Sequence, residues 1–188
     1  MNESRPRRGP ADPERPSRII DAALSLMLAG GVHSLSHRAV GVKAGVPLGS
    51  TTYYFKDLDA LLIASIERLT EQAQIQFQEW QSQVSIEAPL APQLAELIYL
   101  RLTQQRNQAT LAYELYTLAM RRPDLRPLSD RWKQVLSNAI GQYVEKSTAE
   151  RVAALIDGIM IQGLISPQPP TLVEITGKLQ PLLYPPSQ

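Results

Sequence analysis

Apolar residues recur at steps of three and four through most of this chain, and no stretch alternates convincingly between apolar and polar residues. Such spacing places apolar side chains on one face of an α-helix, whereas a half-buried strand requires a period of two. The spacing predicts an all-α chain of about nine helices. The longest series follows Asp57, a candidate N-cap, and predicts a helix about 25 residues and roughly 40 Å long; its members are Leu58, Leu61, Leu62, Ser65, Ile66, Leu69, Ala73, Phe77 and Trp80.

Glycines, prolines and capping residues divide the helical pattern into segments. Gly30-Gly31 is predicted to end a first helix that begins between Asp12 and Ser17, because glycine readily adopts the backbone conformation of a helix end. The stretch "STAE" at 147–150 has the pattern of a capping box and predicts the start of a helix that ends near Ile165. A last amphipathic helix is predicted over 172–183.

The composition excludes several classes of protein. The 188 residues include no cysteine, which excludes a disulfide framework, a thiolate nucleophile and a cysteine-ligated zinc site. No apolar run is long enough to cross a bilayer, and the polar N-terminus is not typical of a signal peptide. A cytoplasmic protein is therefore predicted.

Charge is distributed unevenly along the chain, whose net charge is only +1. Residues 1–56 hold eight basic and four acidic side chains, a net charge of +4, which leaves −3 for residues 57–188. This asymmetry favours a first module that faces a polyanion, although an ordinary solvated surface would have the same composition. Residues 1–14, rich in proline and arginine, are predicted to form a disordered basic arm.

The stretch "AGVPLGSTTYYF" at 44–55 combines three breakers with small, hydroxyl-bearing residues. Ser36 is a candidate N-cap for a short helix, "HRAVGVKA", which is predicted to end at Gly45. Pro47 suits the start of a third helix. Three short helices with a glycine-containing turn are typical of a helix-turn-helix, and the small residues suit entry into a groove about 12 Å wide. A capped surface helix without a partner is the alternative.

Residues 17–66 resemble the N-terminal domain of the TetR family of bacterial transcriptional regulators, from the first helix to the leucine-rich start of the fourth. Within the family, "SHR", "AGVPLGSTTYYF" and "YELYTLAMRRP" look most like the RcdA (YbjK) type of regulator. The resemblance implies a DNA-binding head over 15–60, with its helix-turn-helix at 36–55. It also implies an effector-binding and dimerising body over 61–188.

The resemblance carries specific roles to residues of the head. Ser36 caps the second helix, His37 faces a phosphate, Arg38 reaches a base edge and Lys56 meets phosphate. The positions that would contact DNA are Ser36, His37, Arg38, Leu48, Gly49, Ser50, Thr52, Tyr53 and Lys56. The sequence departs from the family at two of its customary positions, where Thr52 replaces a tyrosine and Leu58 replaces a lysine.

A homodimer is predicted through 149–165 and 171–183, whose apolar stripes would otherwise face water. Aspartate at Ile159 or Ile161 is expected to split this dimer. Two such heads would bind a palindromic operator in double-stranded DNA.

The body is predicted to take an unidentified small-molecule effector, with Tyr113, Tyr116 and Gln162 as its polar lining. Asp157 is expected at a polar interface or pocket. Aromatic residues at helical spacing are more often plain core than ligand contacts.

Other chemistry finds little support in the sequence. No cofactor, metal or catalytic residue is predicted, because the chain has no glycine-rich phosphate loop and no plausible Ser/His/Asp or paired-carboxylate motif. His33 and His37 have the spacing of zinc ligands on a helix, but His33 precedes the predicted cap and no third ligand is near. The predicted function is a DNA-binding regulator, most simply a repressor released by its effector. A helical protein–protein adaptor is the alternative, and a small-molecule-modifying enzyme is a distant third.

Overall fold

The computed structural model describes residues 12–185, so most of the predicted basic arm lies outside the described residues. Within that range the chain forms nine α-helices and no strand, as the sequence predicts. No helix among these residues combines the length and apolar character needed to cross a membrane. The helices are α1 (Arg15–Gly30), α2 (His37–Ala44), α3 (Leu48–Tyr54), α4 (Leu58–Gln83), α5 (Leu90–Thr103), α6 (Arg106–Leu118), α7 (Arg126–Ile140), α8 (Lys146–Ile165) and α9 (Leu172–Leu183).

The long fourth helix begins and extends as predicted. The Asp57 carboxylate accepts a hydrogen bond from the backbone N–H of Ala60 at 2.8 Å, which satisfies a donor in the first turn. α4 then continues for 26 residues. It therefore connects the N-terminal helices to the rest of the bundle.

The predicted capping box at 147–150 is wrong. α8 begins earlier, at Lys146, and the backbone N–H of Ala149 already donates to the Glu145 carbonyl at 2.9 Å. Ser147 therefore lies inside the helix and cannot cap it. The capping box forms instead at the start of α9, where the Thr171 hydroxyl accepts from the Glu174 N–H and the Glu174 carboxylate accepts from the Thr171 N–H.

The N-terminal helices enclose a small core of their own. Ile19 and Ala23 of α1 pack with Val40 of α2, Phe55 after α3 and Leu61 of α4, all buried. Phe55, the residue after α3, anchors the C-terminal end of that helix in this core. These contacts fix the orientation of α2 and α3 on α1.

A second cluster joins the N-terminal helices to the body. Leu24 and Met27 of α1 pack with Ile66 of α4 and with Leu111 and Leu115 of α6. α1 therefore presents one face to the small N-terminal core and another to the body, so that a displacement of α6 would press directly on the N-terminal helices.

The largest core lies among α4, α5, α7, α8 and α9. Ile159 belongs to it and is only 2% exposed, so the expectation that aspartate at Ile159 would test a dimer is wrong: it would disrupt the core. Ile161 is 36% exposed on the outer side of α8. Ile165 and Val173 are 79% and 82% exposed, so an apolar surface runs across α8 and α9.

Candidate functional site

The turn between α2 and α3 is built by local contacts. The Ser36 hydroxyl accepts a hydrogen bond from the Ala39 N–H at 3.2 Å, which confirms it as the cap of α2. α2 ends at Gly45, whose φ of 65° lies in the left-handed region that glycine adopts without strain. A Cβ on Gly41 would lie 3.2 Å from the Val46 carbonyl oxygen, so a small residue at 41 allows α2 and the turn to approach closely.

α3 has one buried and one exposed side. Thr51 is fully buried, and its hydroxyl donates to the Leu48 carbonyl at 2.8 Å, which satisfies the hydroxyl within the helix. The rest of α3 is exposed apart from the half-buried Ser50, and its exposed residues are Leu48, Gly49, Thr52, Tyr53 and Tyr54. Since the buried side holds α3 on the core, the exposed side is available to an external partner.

The predicted DNA-contacting residues fall into two groups by exposure. Ser36, His37 and Ser50 are half-buried, and Ser36 uses its hydroxyl for the cap. The Nδ1 atom of His37 is buried without a hydrogen-bond partner among the described residues. The exposed residues are Arg38, Leu48, Gly49, Thr52, Tyr53 and Lys56.

Three exposed cations lie in α2 or just after α3. Arg38, Lys43 and Lys56 take part in none of the ion pairs found within residues 12–185. Lys43, and Val42 beside it at 80% exposure, were not singled out from the sequence. Val42 lies on the side of α2 opposite the buried Val40, and Lys43 lies in the last turn of the helix.

The body contains a polar contact between α6 and α8. The Tyr113 hydroxyl donates to the Asp157 carboxylate at 2.8 Å, and the rings of Tyr113 and Tyr116 meet edge to face at 6.2 Å. Burial raises the pKa of Asp157 above its usual range, which the Tyr113 hydrogen bond and the nearby Lys133 partly oppose. Burial also raises the pKa of Tyr113, as does the neighbouring Asp157 carboxylate.

The three predicted ligand-lining residues are not brought together. Tyr113 borders an interior cavity of about 40 Å³ with Trp132. Tyr116 borders a separate cavity of about 20 Å³. Gln162 is exposed on α8 and borders neither cavity. A ligand role for the two tyrosines stays a prediction, and the geometry offers no support for one at Gln162.

Sequence reasoning passed over one charged residue in the body, Arg101 of α5. It borders the cavity that Tyr113 and Trp132 border, and its guanidinium lies 4.8 Å from the centre of the Phe77 ring. Its sequence signal was spacing: Arg101 follows Leu94 and Ile98 at helical steps, on the apolar side of its helix.

Taken together, the capped second helix, the glycine turn and the half-exposed third helix define a helix-turn-helix protein of the DNA-binding class. Residues 87–181 match the family model described as "Tetracyclin repressor-like, C-terminal domain". The chain belongs to the TetR family of transcriptional regulators, and it is a DNA-binding regulator.

Solved structures and curated proteins agree with this assignment. The multidrug binding protein EbrR, in complex with imidazole, is 35% identical with a TM-score of 0.82 over 94% of this chain and 99% of that one. A TetR family member, SCO1917 from Streptomyces coelicolor A3, is 36% identical with a TM-score of 0.76 over 91% and 99%. The regulator BetI of Cronobacter sakazakii is 27% identical over 84% of this chain and 83% of that protein. The likeness to the RcdA type stays a prediction.

Proposed function

We propose that this protein is a homodimeric repressor that binds a palindromic operator and releases it when a small molecule enters the body. We propose no catalytic activity for it, and its site of action is the cytoplasm, where bacterial DNA lies. The observation that carries the proposal is the exposed surface of α3, which is presented to solvent while Thr51 of the same helix is fully buried.

The composition of that surface supports insertion into the major groove. A Cβ added at Gly49 would have no neighbour within 4 Å, so the surface there is open, and Thr52 beside it is small. Tyr53 is 78% exposed and packs edge to face on Tyr54 at 5.0 Å, which steadies a large ring at the far end of the helix. Small residues near the start and a braced aromatic near the end suit close approach to base edges and backbone.

The surrounding charges support contact with phosphates. Arg38, Lys43 and Lys56 are exposed and without ion pairs among the described residues, so they can neutralise DNA phosphates without first breaking a protein contact. We assign base reading to Arg38 and phosphate contact to Lys56, with the remaining predicted positions of α2 and α3 around them.

The packing between the head and the body supports a route by which a bound ligand would release DNA. The cluster of Leu24, Met27, Ile66 and Leu111 joins α1, α4 and α6, and the Arg122 guanidinium after α6 donates to Asp59 at the start of α4 at 3.0 Å. A ligand that displaces α6 would therefore shift α1 and α4 together. Release requires that the ligand bind the DNA-incompatible state more tightly, with a coupling of about 1–3 kcal/mol.

The relatives make a ligand-responsive body reasonable. EbrR is described as a multidrug binding protein, and its structures hold imidazole, ethidium, proflavin or malachite green. This chain shares 35–36% identity with those structures.

The test begins by selecting DNA that the purified protein enriches from a random pool, and then measures affinity for that DNA at several salt concentrations. Gly49→Glu should abolish binding without unfolding the protein, because charge and bulk would face the phosphates. Ser82→Glu is the control. It adds the same charge at the C-terminal end of α4, away from the head, and should bind DNA like the wild type.

Two further variants separate base reading from phosphate contact. Arg38→Ala should cost about 1–3 kcal/mol and relax preference at one base pair. Lys56→Ala should weaken binding to all sequences and flatten its salt dependence, whereas Lys146→Ala on α8 should change neither. If no sequence is enriched, an adaptor role would replace the proposal. If Gly49→Glu folds and binds the selected DNA like the wild type, α3 is not the reading element.

A further inference from the structure

Arg101 is a half-buried cation whose polar contacts are with neutral groups. Its Nη2 donates to the Gln76 side-chain oxygen at 3.3 Å, and its guanidinium lies 4.8 Å from the Phe77 ring centre. Its Nε is buried and has no hydrogen-bond partner among the described residues. No carboxylate of residues 12–185 forms an ion pair with it.

This arrangement leaves a charge in a poorly solvated position. Burial lowers the pKa of Arg101 below the usual value for arginine, yet the guanidinium remains charged because arginine titrates far above neutral pH. A charge removed from water is ordinarily paired, and a neutral amide and an aromatic face compensate it only in part. A carboxylate on Arg101 would complete this compensation.

Arg101 also lies between an open groove and the interior cavities of the body. It borders an open groove of about 440 Å³ between α4 and α5, which is also lined by Gln76 and by the exposed acids Glu79 and Glu96, neither of which forms an ion pair with Arg101. On its inner side it borders the 40 Å³ cavity, and it borders a 60 Å³ cavity that reaches Leu24 of α1. A ligand entering from the groove would meet the guanidinium first.

The nearest buried acid does not compete for this position. Asp157 already accepts the Tyr113 hydroxyl at 2.8 Å and borders none of these three cavities. Because the Tyr113 proton is committed to Asp157, Tyr113 is not available to donate to an anion in the cavity. The charge-assisted donor in this part of the body is Arg101.

We propose that the body binds an organic carboxylate, with the carboxylate group on Arg101 and an apolar or aromatic body in the cavity between Phe77 and Trp132. The proposal rests on the effector-responsive function above and names the class of its effector. A cation of the same shape would be rejected, because it would lie against an unneutralised guanidinium.

The size of the cavities indicates how such a ligand would act. The two inner cavities, of about 40 and 60 Å³, are each too small for an aromatic acid, but they share the walls formed by Arg101, Ala109, Ala112 and Trp132. A ligand that joins them would have to displace a shared side chain, of which Trp132 is the largest. The joined space is bordered by Leu24 and Leu28 of α1, so ligand entry would act directly on the first helix of the head.

The test is calorimetric titration of the full chain, without DNA, with acetate, benzoate and 2-naphthoate and with the matched neutral amides. 2-Naphthylmethylammonium serves as the matched cation. At least one carboxylate should bind about tenfold or more tightly than its amide, and the cation should not bind. Binding should also change the fluorescence of Trp132, measured in a Trp80→Phe background.

Arg101→Met keeps the length of the side chain and removes its charge. It should erase the preference for carboxylate over amide and leave thermal stability equal or higher, since an unpaired buried charge is lost. Arg131→Met removes the same charge from an exposed residue in the separate groove between α4 and α7 and should leave carboxylate affinity unchanged. Both variants should bind the selected DNA as the wild type does.

The proposal is overturned if no carboxylate in the series is preferred over its amide, if the preference survives Arg101→Met, or if the cation binds in place of the acids. Any of these results would leave DNA binding intact. Loss of DNA selection by the ligand-free wild type would instead contradict the proposed function.

Discussion

The hydroxyl of Tyr113 in α6 donates a hydrogen bond of 2.8 Å to the carboxylate of Asp157 in α8, across 44 residues of chain. This bond joins the helix that contacts the head to a helix of the exposed apolar surface. Burial is the main cause that raises the pKa of Asp157. The Tyr113–Asp157 pair should therefore make the free energy of unfolding fall as pH rises.

Asp157→Asn should gain stability relative to the wild type as pH rises. Because the folded-state pKa of Asp157 is raised, its favourable contribution is present below the ordinary value of 3.8 and is lost as pH rises through the raised value. Urea unfolding at a series of pH values should show the advantage of the variant increase across that window and then level off.

Asp124→Asn provides a control of opposite sign. The Arg122 guanidinium lowers the pKa of Asp124, so the contribution of Asp124 is present above 3.8 and is lost as pH falls through the lowered value. The variant should be less stable than the wild type at neutral pH, and the difference should disappear in acid. A pH-independent difference for Asp157→Asn would contradict the burial of its carboxylate.

Replacing either of two glycines of the head with alanine should change the free energy of unfolding, but with opposite sign at the two positions. Neither has a neighbour within 4 Å of the added Cβ, so sterics do not decide the outcome. Gly45 has a φ of 65°, and Gly45→Ala should cost about 1 kcal/mol. Gly49 lies in regular helix, and Gly49→Ala should stabilise the fold by up to about 1 kcal/mol. Thermal unfolding measures both, and a shift of the same sign would contradict the geometry of the turn.

The exposed apolar surface of α8 and α9 should determine the oligomeric state. Ile161→Asp should give a folded monomer by light scattering, because an ionised carboxylate would be buried in the interface. Ile75→Asp changes a 54% exposed isoleucine on α4 and should leave the dimer intact. Ile159→Asp should instead lose the fold itself. A dimeric Ile161→Asp variant at micromolar concentration would place the interface elsewhere.

Arg106 should stabilise the C-terminal end of α8. Its guanidinium donates to the carbonyls of Leu164 at 2.6 Å, Ser166 at 3.2 Å and Gly163 at 3.3 Å, which satisfies acceptors that the helix leaves unpaired. Arg106→Met should cost about 1–3 kcal/mol in urea unfolding. Arg151→Met, which removes an exposed arginine bonded only within α8, should cost far less. Equal costs would show that these carbonyls are well solvated without Arg106.

The helix-turn-helix was predictable from the sequence because its determinants act over a few residues. Ser36 caps a helix through the N–H three residues later, and Gly45 allows a left-handed backbone by having no side chain. Asp57 caps α4 in the same way as Ser36 caps α2. The burial pattern of α3 does not follow from apolar periodicity, because Thr51 is buried while Leu48 and Tyr53 are exposed, so packing decided it.

The body depended on contacts that no local pattern encodes. The stretches at 147–150 and 171–174 share one capping pattern, but only the second caps a helix, because α8 already begins at Lys146. Ile159 and Ile161 are two residues apart, yet packing buries one and exposes the other. In the sequence alone, Arg101 is one more basic residue in the last turn of a helix. It forms no ion pair among residues 12–185, and its contacts are instead with Gln76 and Phe77, some 25 residues earlier.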